Sequence, residues 1–235
     1  MWYQLKQKLK QIKCIYKPVH KVNEYKWEKE KEKEKKTLQK FGFEICMQIN
    51  KALCKTNFIW FYTYGSLLGL IREGQLLKHD RDIDIGIIED KNFSWKELET
   101  TLEKNGFELL HQFLLNQKIT ERTYVYKNIR IDFFLYSNNK EIATSYVYFR
   151  KPSYQYKDNL EFSVSALKSH KIIKIKTLEI EGSQYKVPEN SEEYLADIYG
   201  KSWKIPNPNW VSEKGPAWNE LKGQFGYYVK KRGYK

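Results

Sequence analysis

Three aspartates carry the chemical signal of this chain. In the run Asp80-Arg81-Asp82-Ile83-Asp84-Ile85-Gly86-Ile87, Asp82 and Asp84 stand two residues apart among alternating isoleucines, the period of a β-strand. Their carboxylates project from one face and the isoleucines from the other. Two bare carboxylates side by side repel, and keeping them ionised near a core is costly unless cations or hydrogen-bond donors compensate. Asp132, in Ile131-Asp132-Phe133-Phe134-Leu135, interrupts an otherwise apolar strand and needs a partner if it points inward. Set beside the pair by a neighbouring strand, it completes a group of oxygen ligands suited to magnesium or manganese. Two such ions clamp the attacking and leaving oxygens of a phosphoryl displacement. Asp82, Asp84 and Asp132 are therefore the expected metal ligands and catalytic residues.

Upstream, Tyr64-Gly65-Ser66-Leu67-Leu68-Gly69 follows the apolar run Ile59 to Tyr62, which reads as a short buried strand, and opens a helix expected over Ser66 to Arg72. A glycine at that turn lets a phosphate approach, with Ser66 and the first helical N–H groups as donors. Arg72, one or two turns along the helix, is the favoured phosphate cation, with an ion pair to an aspartate of the cluster as its alternative role. Lys78 and Arg81 flank the acidic run and are further phosphate candidates, whereas His79 reads as a loop hydrogen-bonder. A Gly-Ser pair alone means little. Strand, Gly-Ser, helix, Asp-x-Asp in the next strand and a lone Asp in a later one form the arrangement of the nucleotidyltransferase fold, an α+β fold with a mixed sheet flanked by helices.

The remaining elements must position these groups. Residues 37–55 are patterned as a helix, Trp95 to Asn105 as another closed by Gly106, and Ser191–Tyr199 as a third. Glu121–Tyr126 and Ile129–Tyr136 form a hairpin across Lys127-Asn128, Ile142–Phe149 is a further strand, and residues 171–187 suggest a last hairpin around Gly182. Glutamate and lysine alternate from Glu28 to Lys35, a solvated helical face to which no chemistry is assigned.

The net charge of +13 invites a nucleic-acid reading, but the charge sits at the ends. Residues 1–40 hold 13 lysines against 5 glutamates, residues 222–235 add five cations and no acid, and residues 41–221 carry 24 basic and 24 acidic side chains. That neutral body argues against a non-catalytic RNA-binding protein. The sequence divides into a basic helical extension (1–40), a catalytic domain (41–210) and a basic C-terminal tail (211–235). In the extension, Trp2, Leu5, Leu9, Ile12 and Tyr16 form one apolar stripe between lysines, with Pro18 expected to end the segment. The stripe suits either an anionic membrane surface or the protein's own core. Without an apolar run of about 18 residues or a signal-peptide core, a cytoplasmic location is expected, with peripheral attachment to the inner face of the cell membrane if the stripe binds lipid. Cys14, Cys46 and Cys54 lack CxxC spacing and are expected as reduced thiols.

The run from Tyr64-Gly65-Ser66 through Arg72 to His79-Asp80-Arg81-Asp82-Ile83-Asp84 resembles the LicD family, which includes fukutin-related proteins. Tyr185-Lys186-Val187-Pro188, then Tyr194 to Tyr199-Gly200 and Trp203 to Pro206, resembles the family's C-terminal Tyr-Gly and Trp signature, so the likeness spans roughly residues 41–210. Family members often carry an acid where this chain has Arg81, which leaves Asp80 as a supporting acid near the bound donor. The resemblance implies transfer of a phosphate-linked alcohol, of the phosphocholine or polyol phosphate type, from a CDP-linked donor to a hydroxyl of a cell-surface or lipid-linked glycan. Trp203, Tyr199 or Tyr64 would stack on base or sugar. The runner-up is an NTP-dependent nucleotidyltransferase acting on a small molecule or nucleic acid, which would use the same acids.

Overall fold

The computed structural model describes residues 13–231, with side chains from Trp27 onward. Helix α1 (Lys13–Leu53) leads into β1 (Trp60–Tyr62), α2 (Tyr64–Glu73), β2 (Asp82–Ile88) and α3 (Trp95–Lys104). Strands β3 (Glu108–Leu115), β4 (Lys118–Tyr126), β5 (Ile129–Asn139), β6 (Ile142–Phe149) and β7 (Glu161–His170) follow. The chain ends with the β8 (Ile175–Ile180) and β9 (Ser183–Pro188) hairpin, α4 (Ser191–Tyr199), a short 3-10 turn (Ser212–Lys214) and β10 (Trp218–Lys230).

Eight strands form one mixed sheet in the order β1-β2-β5-β4-β3-β10-β7-β6. Strand β5 is its hub. It pairs parallel with β2 from Arg130 to Tyr136 and antiparallel with β4, and from Ser137, where β2 has ended, it pairs with β6. Strands β5, β4, β3, β10, β7 and β6 thereby close a ring of hydrogen-bonded neighbours, with β2 and β1 outside it. The β8–β9 hairpin forms its own two-stranded sheet and lies against β1, where the Tyr62 and Tyr185 rings meet at 5.5 Å.

Local chemistry explains the elements. Ser94 caps α3 by accepting the Glu97 N–H at 3.4 Å, the Ser-x-x-Glu pattern of a capping box, and Leu98 and Leu102 bury its inner face. Lys127 and Asn128 both take positive φ, the geometry of a tight two-residue hairpin between β4 and β5. Ile45, Ile49 and Leu53 of α1 pack with Phe61, Leu67, Ile83, Ile85 and Phe133 into one fully buried core.

Three expectations are corrected. Pro18 does not end a helix but lies inside α1. Near the start of a long helix a proline forfeits one hydrogen bond while the many later bonds carry the element. The segment from residue 211 is not a tail: β10 runs between β3 and β7 and completes the ring. Nor is the extension separate from the domain, since Leu38 is buried and the Gln39 side chain donates to the Lys78 carbonyl at 2.8 Å. The apolar stripe from Trp2 to Ile12 lies outside the described residues, and the side chain of Tyr16 is likewise undescribed. No helix among the described residues is long and apolar enough to cross a membrane.

Candidate active site

The parallel pairing of β2 with β5 builds the centre of the site. Asp84 stands opposite Asp132 and Asp82 opposite Arg130, so two carboxylates share one face and the third meets a guanidinium. The Asp84 peptide is held from both sides: its carbonyl accepts the Thr63 N–H at 3.1 Å and its N–H donates to the Ser66 hydroxyl at 2.9 Å. The turn between β1 and α2 is thus fastened directly to the acid it faces.

Asp80 arrives from the loop that precedes β2. That loop passes close to α2 because residue 69 is glycine; a Cβ there would lie 2.5 Å from the Gln75 carbonyl oxygen and 2.8 Å from the Leu77 nitrogen. Gly65, about a turn earlier in the same helix, permits a second close approach. A Cβ at that position would meet Asp80 Oδ2 at 2.8 Å and Asp84 Oδ2 at 3.5 Å, so both carboxylates reach the backbone at the start of α2.

The cluster is short of positive charge. Asp84 is raised well above the usual carboxylate range by burial, then by Asp82, Asp132 and Asp80, with the Ser66 backbone acting the other way. Burial and Asp82 push Asp132 up to about 7, opposed by the Thr123 hydroxyl and Arg130. Asp80 is also pushed up to about 7, by burial, Asp82 and Glu73 against Arg81 and Arg72. The donor set is all oxygen and under-compensated, which fits a hard divalent cation. Asp82, Asp84 and Asp132 are the residues that would hold it. Among the described residues no three Asp, Glu, His or Cys side chains converge as a ready-made cage.

A cleft of about 690 Å³ opens from this cluster, meeting it at Gly65 and Asp80. Leu68, Arg72, Tyr199, Trp203 and Trp210 line its walls. Arg72 donates to the Trp203 carbonyl at 3.1 Å and pairs with Glu73 at 2.9 Å, and its Nε is buried without a partner among the described residues. The ion pair is with a glutamate beside it rather than with an aspartate of the cluster. Tyr199 tilts on Trp210 at 4.7 Å, and burial, then Asp84 and Asp80, raise the pKa of its phenol.

The structure therefore brings together Gly65, Asp80, Asp82, Asp84 and Asp132, and sets Arg72, Tyr199 and Trp203 beside them. Two expected roles are not borne by the geometry. Ser66 is fully buried, and its hydroxyl orients β2 instead of facing the cleft. Tyr64 is buried edge-on to Phe134 with its hydroxyl bound to Ser145, so it is a core residue rather than a stacking platform. His79 stays at the rim, 72% exposed and 3.8 Å from Asp80 Oδ1.

Several neighbours escape a reading of the sequence. Arg130 Nη2 lies 3.3 Å from Asp82 Oδ2, and Glu34 of α1 lies 3.6 Å from Arg81 and 4.0 Å from Arg130. The charged stretch given no chemistry thus reaches the edge of the site. Thr123 donates to Asp132 Oδ1 at 2.5 Å, and the buried Glu121 carboxyl is raised by burial and by Asp132. The strand register of β4 against β5 is the signal that connects them, since Thr123 stands opposite Asp132.

Residues 57–190 match the family described as LicD/FKTN/FKRP, nucleotidyltransferase domain. The chain belongs to this family. The matched segment contains Gly65, Arg72, Asp80 and the three aspartates of the cluster, while the Trp203–Trp210 wall of the LicD cleft lies beyond it. No curated protein matches the sequence. Among solved structures, the crystal structure of ANT(2")-Ia in complex with adenylyl-2"-tobramycin aligns at 12% identity with a TM-score of 0.40, covering 73% of this chain and 82% of that one.

Proposed function

We propose that this LicD-family chain is a metal-dependent transferase that moves a phospho-alcohol, of the phosphocholine or polyol phosphate type, from a CDP-linked donor to a hydroxyl of a cell-surface or lipid-linked glycan. One observation carries the reading. Four aspartates cluster on β2, β5 and the loop before β2, three of them raised in pKa by burial and mutual repulsion; two of them, Asp80 and Asp84, reach the start of α2, and Asp80 lines an aromatic cleft that contains an arginine.

In this account Asp82, Asp84 and Asp132 hold magnesium or manganese, and Asp80 supports them at Gly65. Bound divalent ions supply charge neutralisation for the oxygens that gain negative charge during phosphoryl transfer. Arg72, which lines the cleft, binds a donor phosphate through its guanidinium, and the N-terminus of α2 adds the favourable end of its dipole. Tyr199, Trp203 and Trp210 bracket the base or sugar of the donor. The acceptor hydroxyl gives its proton to Asp132 or a neighbouring carboxylate and attacks the β-phosphorus. A new oxygen–phosphorus bond forms, the bond to the oxygen bridging the two phosphates breaks, and CMP departs with that oxygen. The apolar stripe between Trp2 and Tyr16 is assigned to an anionic membrane surface, where a lipid-linked acceptor is assembled.

Asparagine replacements test the acids directly, because an amide keeps the shape and removes the charge. Asp82→Asn, Asp84→Asn and Asp132→Asn should each abolish transfer while leaving the circular dichroism spectrum unchanged, and excess EDTA should silence the wild type. Near-normal turnover by all three variants, or by the wild type in EDTA, would end the proposal.

A further inference from the structure

We propose that His111 and Thr123 form a positioning relay that fixes the Asp132 carboxylate, a role that rests on the reading of Asp132 given above. Strand β4 places Thr123 between two partners, Asp132 on β5 and His111 on β3. Thr123 is 1% exposed; its hydroxyl donates to Asp132 Oδ1 at 2.5 Å, and its Oγ1 lies 3.0 Å from His111 Nε2.

The proton count assigns the tautomer. A threonine hydroxyl has one proton, and that proton is given to Asp132. The oxygen must then accept from His111, so Nε2 carries hydrogen and Nδ1 holds the bare lone pair. Nδ1 is buried and has no hydrogen-bond partner among the described residues, which suits an unprotonated nitrogen better than an N–H left unpaired. Burial and Arg130 hold the His111 pKa down to about 4, so the ring is neutral at pH 7. Its orientation is set by Phe113 edge-on at 5.6 Å and by Tyr228 at 4.8 Å.

The backbone is shaped to deliver this histidine. The β3–β4 register pairs Leu109 with Tyr124 and then shifts, so that His111 rather than Leu110 stands opposite Thr123. Such bulges re-aim a side chain next to functional sites. The consequence for Asp132 is asymmetry between its two oxygens. Oδ1 is engaged by Thr123, which in this account leaves Oδ2 for a cation or for the acceptor hydroxyl. Partners of this kind typically change metal affinity or activity by about 10–100-fold when removed.

The test uses the full-length chain. At pH 8, where Asp132 is ionised, nitrogen-15 NMR of labelled histidine, with His111 assigned by His111→Gln, should show a neutral Nε2–H ring in the wild type and loss of that single tautomer in Thr123→Val. Thermal-shift titration with magnesium chloride should give an apparent affinity about 10–100-fold weaker for Thr123→Val. Thr123→Ser, which restores the hydroxyl, should recover to within about threefold, and KM for the CDP-alcohol should stay near the wild-type value while kcat falls. An Nδ1–H ring in the wild type overturns the relay, as does a Thr123→Val protein with wild-type magnesium affinity and kcat. If Thr123→Val does not fold, the wild-type tautomer and the Thr123→Ser titration decide. A wild type that consumes no CDP-alcohol but shows the Nε2–H ring and magnesium shift contradicts the transferase reading alone.

Discussion

Gly65 and Asp80 face each other so closely that a single methyl group at residue 65 would lie 2.8 Å from Asp80 Oδ2. The contact joins the start of α2 to the loop before β2, and both residues line the cleft. Gly65→Ala should leave the fold intact, because the clash falls on the end of a side chain that can turn away. Overpacking of this kind costs about 1–3 kcal/mol. Displacing an acid by about 1 Å costs up to about 100-fold in rate. Urea unfolding together with initial rates checks this, and an alanine variant with wild-type kcat would show that the Gly65–Asp80 contact is incidental.

The raised carboxylates predict an inverted dependence of stability on pH. Asp80 and Asp132 titrate near 7 in the folded chain against an ordinary value of 3.8. The native state therefore binds more protons than the unfolded state between these values, so their contribution is full below about pH 4 and is lost as pH rises through 7. Metal-free protein should melt at a lower temperature at pH 8 than at pH 5, and magnesium should raise Tm more at pH 8. A larger magnesium shift at pH 5 would contradict the assignment.

Asp82 raises the pKa of Asp80, Asp84 and Asp132, so its removal should relieve repulsion. Asp82→Asn is expected to stabilise the metal-free fold at pH 8 while abolishing transfer, the exchange of stability for function common at active sites. A gain of about 1 kcal/mol would read as about 2–4 °C in Tm. Calorimetry of the two proteins in EDTA measures it; a lower Tm for the variant would mean that the Asp82–Arg130 pair outweighs the repulsion.

Removing the last strand separates a domain from a tail. Because β10 pairs with β3 from Gly226 to Lys230 and with β7 from Trp218 to Tyr227, a chain ending at residue 210 leaves two unpaired edges in the ring. Such a protein should be insoluble or unfolded, whereas Lys222→Gln, at an exposed position, should be neutral to within about 0.5 kcal/mol. A soluble, cooperatively folding chain of residues 1–210 would contradict this.

The membrane assignment rests on the stripe from Trp2 to Tyr16. Each large apolar side chain gains about 1.5–3 kcal/mol if fully buried, and each lysine adds up to about 1 kcal/mol at an anionic surface. Full-length protein should pellet with anionic vesicles at low salt, and protein lacking residues 1–17 should not. Equal pelleting of both would place the contact elsewhere; a truncated protein that unfolds would mean the stripe packs on the core.

Periodicity makes the centre of the site legible and also explains what stays hidden. Asp82 and Asp84 announce themselves because they alternate with isoleucines, and the Lys127-Asn128 turn because Asn128 suits positive φ between two apolar runs. Strand β3 breaks period two at its own bulge, β7 buries Ser163, Ser165 and Ser169 where apolar residues would be expected, and β10 shifts register between Glu220 and Phe225. None of the three therefore reads as a strand. Thr123, His111 and Glu34 gain their roles only from the pairing of distant strands and the reach of α1. Ser66 shows the opposite error: its place in the motif is plain in the sequence, but burial turns its hydroxyl to the Asp84 peptide.

The identity of the donor tests the account most directly. Full-length protein with magnesium should be incubated with a panel of CDP-alcohols and, separately, with NTPs, while CMP and pyrophosphate are quantified. The account predicts CMP from at least one CDP-alcohol, even without acceptor if slow hydrolysis occurs, with release abolished by EDTA and by Asp84→Asn. Pyrophosphate from an NTP with every CDP-alcohol untouched would contradict it and make the chain an NTP-dependent nucleotidyltransferase.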